Sequence, residues 1–244
     1  MKQWMMAAFL ILFLAGPATA AKYDLVFPST LSNSAFKDLV REGGAVAAYR
    51  GLSPAEPEGL TGFDLGAAVS LVNIDSSVWD PVFKNGDAPG YLSVPSLHLR
   101  KGLPFNFDVG AMYSQIPDSD IKLVGAEIQW ALLEGGIAEP AVALRGSYSK
   151  VLGVGDFDLH TLALDGVISK GFAFLTPYAG VGLVRISGSY AGSDPTLKAA
   201  LNDQDLTEPR YFAGLQSSLG LLRLTLDAEY LQRPIYTVKL SLGW

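Results

Sequence analysis

Two residues on one predicted strand have the types and the spacing of a nucleophile and its base. Ser96 and His98 are two positions apart, so in a strand their side chains lie on the same face. A serine hydroxyl beside an imidazole is the arrangement that nucleophilic catalysis uses. Leucines alternate with these residues and assign them to the polar face, however, where a lipid substrate on the apolar face would not reach them. The other histidine, His160, has no nucleophile next to it, and we predict no catalytic site and no enzyme.

Metal ligands in a recognisable pattern are not found in the sequence either. The chain has no cysteine and only two histidines, so no transition-metal cluster is predicted. Three Asp-x-Asp pairs, at positions 118/120, 156/158 and 203/205, lie in predicted loops, where their carboxylates could collect Ca²⁺. They lack the ordered ligand spacing of a calcium loop. We interpret them as solvating residues and expect no metal and no cofactor.

Charged residues also alternate along the polar faces of the predicted strands. Six are acids and five are bases, so the two signs can pair with each other and no field of a single sign is predicted. They are Asp64, Arg100, Asp108, Glu127, Arg145, Asp165, Arg185, Arg223, Asp227, Glu229 and Lys239.

The elements that carry these residues are strands. From Gly62 onwards apolar and polar residues alternate with a period of two, and turns or loops interrupt the pattern at regular intervals. The alternation predicts ten antiparallel strands, with eight to twelve as the range. It is most regular in the last ten residues, where the apolar face carries Tyr236, Val238, Leu240, Leu242 and Trp244.

Loop lengths and aromatic residues indicate how the strands are arranged. Connections after odd strands are mostly long and polar, whereas those after even strands are short and rich in glycine. The longest predicted loop runs from Ser187 to Pro209, and the eighth strand is predicted from Tyr211 to Leu219. The outward aromatic residues then fall into two bands, with Phe63, Phe105, Trp130 and Trp244 at one end and Tyr113, Tyr148, Tyr211, Tyr230 and Tyr236 at the other. A soluble sandwich has no reason to sort them in this way. The pattern predicts an all-β, up-and-down transmembrane β-barrel of about ten strands.

A barrel of this size determines what its inward charges can do. Its lumen is little wider than opposing side chains can fill, so the charged residues are expected to pair into a packed network. A narrow solute or ion path along the same charges is the alternative. Arg185 lies in a strand of ambiguous register, and we place it inward because a charge facing lipid costs about 2 to 4 kcal/mol at the midplane.

The N-terminal quarter of the chain is not part of the predicted barrel. Residues 1–20 combine Lys2, an apolar run and Ala18-Thr19-Ala20, which predicts an export signal peptide that is cleaved near Ala21. Loss of Lys2 changes the net charge from −6 to −7, which argues against nucleic acid as a partner. We predict an amphipathic helix from Ser32 to Glu42 that Gly43-Gly44 stops.

Three regions follow: the signal peptide at 1–20, a helical and linker segment at 21–61 that lies on the periplasmic rim or plugs the barrel, and the barrel at 62–244.

Several stretches of the barrel region resemble one group of bacterial proteins. They are GFDLG (62–66), KGLP (101–104), KLVGAEIQWALLEGG (122–136) and SKGFAFLTPYAGVG (169–182). The chain resembles small outer-membrane β-barrels, and more narrowly an uncharacterised proteobacterial family of them. The resemblance implies a Gram-negative outer-membrane location and an up-and-down barrel, and it brings no reaction or ligand. The C-terminal strand resembles the signal by which the barrel insertion machinery recognises such proteins.

Together these features predict a structural or narrow-solute, porin-like barrel in the cell outer membrane. The expected partners are outer-membrane lipid and lipopolysaccharide, the insertion machinery during biogenesis, and a small solute or ion if the lumen is open. Two alternatives remain at this point: an outer-membrane enzyme that modifies lipids, and a soluble periplasmic β-protein that binds them.

Overall fold

Ten antiparallel strands close into a single barrel in the computed structural model, which describes residues 22–84 and 86–244. Each strand pairs with its neighbours in the chain, and the first pairs with the last. The strands are β1 (Phe63–Asn73), β2 (Tyr91–Gly102), β3 (Phe107–Gln115), β4 (Lys122–Glu134), β5 (Ala141–Leu152), β6 (Phe157–Ser169), β7 (Leu175–Tyr190), β8 (Gln204–Leu219), β9 (Leu222–Leu231) and β10 (Arg233–Gly243). The predicted fold class is confirmed. The predicted signal peptide lies outside the described residues.

The described part of the chain contains three α-helices. They are α1 (Asn33–Ala47), α2 (Ser76–Trp79) and α3 (Pro195–Ala200), with a 3₁₀ turn at Pro104–Asn106. None of the helices in the described part of the chain is long and apolar enough to cross a membrane.

The closing seam joins the beginning of the barrel to its end. β1 and β10 pair in register from Asp64 opposite Gly243 to Val72 opposite Ile235. Just beyond it, the amides and carbonyls of Phe63 and Trp244 bond to each other, with N···O distances of 3.2 and 3.1 Å. Each strand thus has a hydrogen-bonded neighbour on both sides, which is how a barrel removes the exposed edges of a sheet.

The two ends of the barrel differ. One end, the long-loop mouth, carries the connections 74–90, 116–121, 153–156, 191–203 and Gln232. The other end, the short-turn mouth, carries 103–106, 135–140, 170–174 and 220–221, together with the start of β1 and the end of β10. The sequence predicted a loop from Ser187 to Pro209, but β7 and β8 extend into ten of these 23 residues, so the true loop is 191–203.

Side chains on the outer surface of the strands are large, apolar and exposed. They include Leu65, Val69, Leu97, Leu99, Ile128, Leu144, Leu162, Leu164, Leu183, Leu215, Leu226 and Val238. Their neighbours in sequence point inward and are mostly buried, as the alternation along β6 and β10 shows. The period of two in the sequence is therefore the difference between the outer and inner surfaces of one closed sheet.

The lumen contains α1, the longest helix among residues 22–84 and 86–244. Ser32 caps α1 by accepting a hydrogen bond from the amide of Ala35 (3.2 Å). The helix buries Phe36, Leu39 and Val40 against the inner wall, where it packs mainly on β6 and β7.

Gly43 and Gly44 do not stop this helix, contrary to the prediction, and it continues to Ala47. A Cβ atom on Gly44 would lie 2.5 Å from side-chain atoms of Ile186 on β7. The glycine is therefore a point of close approach between helix and wall rather than a helix end.

The segment that includes α1 crosses the barrel from mouth to mouth. Tyr23 donates its amide hydrogen to the carbonyl of Asp118 (3.0 Å) at the long-loop mouth. At the other end, the amide of Glu58 donates to Asp108 (3.0 Å), and the amide of Gly102 donates to Gly62 (3.1 Å). We call residues 22–61 the threaded segment. Between these two ends the threaded segment runs through the lumen, with α1 packed against inward residues of the strands.

The interior is divided into two layers. Toward the long-loop mouth, α1 and inward residues of most of the strands form one apolar cluster, which includes Phe36, Leu123, Phe157, Leu159 and Ile186. Toward the short-turn mouth, residues 49–58 of the threaded segment run among buried charged and polar side chains. Only this second layer corresponds to the charged interior that the sequence predicted.

The contact between α1 and β7 gives a test of the packing. We expect Gly44→Ala to unfold more easily than Gly43→Ala, by about 1 to 3 kcal/mol, because the new methyl group of the former has no room beside Ile186. Both substitutions gain the same helix propensity. At Gly43 the nearest atom is the terminal methyl of Leu159 at 3.0 Å, which can move. Urea unfolding in detergent micelles measures the difference, and equal stabilities would contradict this packing.

Candidate functional site

The charged layer of the lumen is the candidate site, and Arg100, Glu127 and Arg145 form its centre. Arg100 lies 2.8 Å from Asp108 and 3.3 Å from Glu127, and Arg145 lies 3.4 Å from the other oxygen of Glu127. All four side chains are buried. They project inward from β2, β3, β4 and β5, so the ion pairs join four neighbouring strands across the inner surface.

Arg145 and Gln129 also bind the backbone of the threaded segment. The guanidinium of Arg145 donates to the carbonyl of Ser53 (2.9 Å) and to the side-chain oxygen of Gln129 (3.0 Å). Gln129 in turn donates to the carbonyl of Ala55 (3.2 Å). Gly51 is needed here, because a Cβ atom at this position would overlap the guanidinium of Arg145. The segment thus accepts hydrogen bonds that would otherwise be missing in a buried site.

A second buried ion pair lies on the opposite wall. Arg210 of β8 and Asp165 of β6 form two hydrogen bonds, one of them 3.0 Å long, and both side chains are almost completely enclosed. Arg210 also donates to the carbonyl of Tyr49 in the threaded segment (2.8 Å). An arginine with its planar fork suits this task, since it can bind a carboxylate with two atoms and a carbonyl with a third.

A third group of charges lies at the short-turn mouth. Asp64 accepts from Lys239 (2.9 Å) and Ser241 (2.7 Å). Arg223 lies 3.4 Å from Asp64 and 2.8 Å from Glu58 of the threaded segment. The end of the segment is therefore held by an ion pair at the exit from the lumen.

The two remaining acids of the predicted set are Asp227 and Glu229 on β9. Asp227 accepts a hydrogen bond from the hydroxyl of Tyr178 (2.7 Å). One oxygen of Glu229 is buried without a hydrogen-bond partner among the described residues. Both carboxylates line a cavity of about 10 Å³ beside Arg50 and Arg210. This volume is at the lower limit for one water molecule.

At the long-loop mouth a fourth group joins α1 to the loop between β1 and β2. Glu42 of α1 accepts from Arg233 (2.8 Å), from the indole of Trp79 (2.8 Å) and from the amide of Asp75 (3.0 Å). Arg233 also lies 2.7 Å from Asp75. Hydrogen bonds from Ser77 and Arg233 lower the pKa of Asp75 to about 2, so this carboxylate keeps its charge at mildly acidic pH.

Ser96 and His98, the residues spaced for catalysis, do meet. The hydroxyl of Ser96 lies 3.0 Å from Nε2 of His98. Both residues are buried on the lumen side of β2, and the ring of Tyr49 in the threaded segment lies against the imidazole, with 6.0 Å between ring centroids. The pair is therefore enclosed between wall and segment, and it faces away from the outer surface of the barrel.

No group of three or more histidine, cysteine, aspartate or glutamate side chains that could hold a metal ion occurs within residues 22–84 and 86–244. The Asp-x-Asp pairs at the long-loop mouth have other contacts. Asp158 lies 3.2 Å from Lys150, and Asp205 pairs with Arg185.

The structure places ten of the eleven predicted lumen residues on the inner surface of the barrel, and Arg185 is the exception. Its side chain is 60% exposed and bonds to Asp205 on the outside, with Nε 2.8 Å from Oδ1. The prediction assumed that Arg185 lies at the level of the lipid. It lies four residues beyond Val181, which pairs with Tyr211 of the tyrosine band, in the part of β7 that projects past that band. A charge is not excluded from the outer surface there.

Arg210 is the lumen residue that sequence reasoning missed. It directly precedes Tyr211, where the sequence placed the start of β8, but the strand begins at Gln204. The alternation of Arg210 with outward Tyr211 was the available signal. The partners that the threaded segment supplies, including Glu42 and Glu58, had no such signal, because nothing in their local sequence shows that they enter a barrel.

Arg210 and Arg185 allow a matched test of burial. Each pairs with one aspartate, but only the first pair is buried. We expect Arg210→Met to destabilise the protein by about 3 to 5 kcal/mol, because it leaves Asp165 buried without its partner. Arg185→Met should cost about 0 to 1 kcal/mol. Urea unfolding in micelles compares them, and similar losses would show that the two pairs do not differ as described.

No protein-family model matches the chain, and no curated protein matches its sequence. Membership of the uncharacterised proteobacterial family therefore stays a prediction.

Among solved structures, the chain is similar to the N-terminal β-barrel domain of Pseudomonas aeruginosa OprF, with 14% identity, a TM-score of 0.36, and coverage of 76% of this chain and 99% of that chain. It is also similar to the outer membrane protein OprG from Pseudomonas aeruginosa, with 11% identity, a TM-score of 0.36, and coverage of 79% and 99%. A third similar structure is the translocator domain of autotransporter NalP from Neisseria meningitidis, with 9% identity, a TM-score of 0.30, and coverage of 93% and 99%. At these values the functions of those proteins do not transfer to this chain.

Proposed function

We propose that this protein is an outer-membrane β-barrel with a structural role, closed at rest by its own N-terminal segment. The observation that carries the proposal is the threaded segment, which fills the lumen from one mouth to the other. Its helix packs into the apolar layer, and its residues 49–58 bind the charged layer through Arg145, Gln129 and Arg210.

The outer surface supports the membrane location. Outward aliphatic side chains form a belt between two aromatic bands. In the band near the short-turn mouth, Phe63 contacts Trp244 with 3.7 Å between ring centroids, and Phe107 stacks on Trp130 at 5.7 Å. In the tyrosine band, which lies nearer the long-loop mouth, Tyr211 and Tyr230 are direct cross-strand partners. Such bands lie at the two interfaces of a membrane, and a soluble protein that exposed this much apolar surface would aggregate.

The partners proposed for this surface are outer-membrane lipid and lipopolysaccharide. The insertion machinery is the proposed partner during biogenesis. In the C-terminal strand, Tyr236, Val238, Leu242 and Trp244 point outward and are exposed, while Leu240 is partly covered. This outward row is the surface that a recognition step at the seam would meet.

Passage of a small solute or ion is the second candidate function, and it requires the segment to move. Two internal cavities beside the segment have volumes of about 20 and 10 Å³, enough for about one water molecule each. The charged wall behind the segment contains both signs, so a path opened there would not select strongly for one charge. A catalytic role has less support, because Ser96 and His98 are enclosed in the lumen.

Planar bilayer recordings test whether the segment closes the barrel. We expect purified full-length protein to give no discrete conductance steps. A variant that lacks residues 22–56 should give such steps if it still folds into a barrel, which heat-modifiable migration on gels can establish. In that variant, neutralising Arg145 or Glu127 should change the ion selectivity. Regular steps from the full-length protein would contradict the proposed resting state.

The membrane location is tested by a charge placed on the outer surface. Leu164 lies midway between the two aromatic bands. Leu152 lies four residues past Tyr148 of the tyrosine band, toward the long-loop mouth. We expect Leu164→Arg to cost about 2 to 4 kcal/mol, and Leu152→Arg about 0 to 1 kcal/mol, because the cost depends on depth in the bilayer. Reversible urea unfolding in phospholipid vesicles measures both. A similar cost at the two positions would argue against this membrane placement.

A further inference from the structure

The threaded segment has a direction, and we propose that it displays the N-terminal end of the mature chain on the cell surface. Residues 22–31 belong to the long-loop mouth, although the barrel itself begins and ends at the opposite mouth. The inference rests on the proposed outer-membrane location. It adds a further function, since a group joined ahead of Lys22 would be carried to the outside.

The first residues of the segment are built into the loop between β1 and β2. The amide of Val26 donates to the carbonyl of Val82 (2.7 Å), and the amide of Lys84 donates to the carbonyl of Asp24 (3.0 Å). These two bonds flank an antiparallel bridge between Leu25 and Phe83. Residues 24–26 thus act as a short extra strand on this loop.

The same residues contact the loop between β3 and β4. Asp24 accepts a hydrogen bond from the amide of Asp120 (3.1 Å), and Tyr23 donates to the carbonyl of Asp118 (3.0 Å). Lys22 lies 3.2 Å from Asp87 in the first loop. The segment is therefore held by two separate loops of one mouth.

Aromatic rings hold the next part of the segment at the entrance to the lumen. Phe27 lies among Phe36, Phe157 and Tyr190, with ring centroids 6.3, 5.7 and 5.6 Å away. Phe157 begins β6 and Tyr190 ends β7, so both rings are at the long-loop end of their strands. This ring cluster is the point at which the segment turns into the barrel.

The start of α1 contacts the loop 191–203 and the first residue of β8, at the same mouth. The side-chain oxygen of Asn33 accepts from the amide of Asn202 (2.9 Å) and from Gln204 (3.2 Å). About two helical turns further along α1, Arg41 lies 3.1 Å from Glu208 of β8. The helix therefore enters with its N-terminus at the long-loop mouth and points inward.

The length of the segment agrees with this path. The 15 residues of α1 span about 22 Å at 1.5 Å each. The stretch from Ala48 to Glu58 is non-helical and can cover the rest of the lumen, and its end is paired with Arg223 at the short-turn mouth. Contacts at both ends and in the middle determine a single direction of threading.

The long-loop mouth is the outer one in barrels of this architecture, whereas the short turns face the periplasm. The segment consequently starts outside the cell, passes inward through the lumen, and reaches the periplasmic side at residues 58–62. The chain then turns back as β1. The N-terminal end is outside, and the C-terminal residue Trp244 is on the periplasmic side.

Single cysteines can test this directly, because the chain contains no cysteine. The full-length variants are Lys22→Cys, Gly90→Cys at the long-loop mouth and Gly136→Cys at the short-turn mouth. Gly90 and Gly136 are exposed, and a Cβ atom added there meets no other atom within 4 Å. Intact cells are treated with a membrane-impermeant maleimide, then compared with permeabilised cells and with denatured protein, in which all cysteines react.

We expect Lys22→Cys to react in intact cells to the same extent as Gly90→Cys, and Gly136→Cys to react only after permeabilisation. An epitope inserted between Ala21 and Lys22 should likewise bind antibody on intact cells. If Lys22→Cys reacts only after permeabilisation while Gly90→Cys reacts on intact cells, the display proposal is wrong and the barrel location stands. If Gly90→Cys and Gly136→Cys react alike in intact cells, the proposed membrane location itself has failed and the display proposal falls with it.

Discussion

Charged side chains enclosed in a narrow barrel must find partners, and this chain takes many of those partners from its own N-terminal segment. The inner wall carries Arg100, Arg145 and Arg210 in buried positions, where an unpaired charge would be very costly. Carboxylates on neighbouring strands neutralise the charge. They do not use all the guanidinium hydrogens, and the carbonyls of Tyr49 and Ser53 accept one each from Arg210 and Arg145. Wall and segment are therefore each incomplete without the other.

The two layers of the interior solve different problems. In the charged layer the segment has no regular secondary structure, and carbonyls of its backbone accept hydrogen bonds from the wall. In the apolar layer the wall offers few hydrogen-bonding groups, so the segment satisfies its own backbone by forming α1. The change from helix to irregular chain near Ala48 thus coincides with the change from apolar to polar wall.

The same arrangement connects the interior to the loops. Glu42 reaches from α1 to Trp79 and Asp75 in the loop between β1 and β2, and residues 24–26 pair with that loop from above. Helix, loop and N-terminal residues consequently form one unit that covers the long-loop mouth. If the segment moves, it must break contacts in the loops, in the apolar layer and in the charged layer together, which explains why the proposed resting state is a closed one.

Features that depend on local alternation can be predicted from the amino-acid sequence. A period of two shows which side chains face outward, so the closed antiparallel barrel, its two aromatic bands and ten of the eleven inward charges could be predicted. Alternation does not say how far a strand extends past the membrane, and for this reason Arg185 was placed inward and Arg210 was overlooked.

The position and direction of residues 22–61 depend on the three-dimensional fold and could not be predicted. An amphipathic helix needs an apolar surface, but its sequence does not say whether that surface is a rim or a lumen. The glycines at 43 and 44 read locally as a helix end and prove to be a contact with Ile186. These properties depend on contacts between residues far apart in the chain, such as Glu58 with Arg223, and the pattern within one segment carries no information about them.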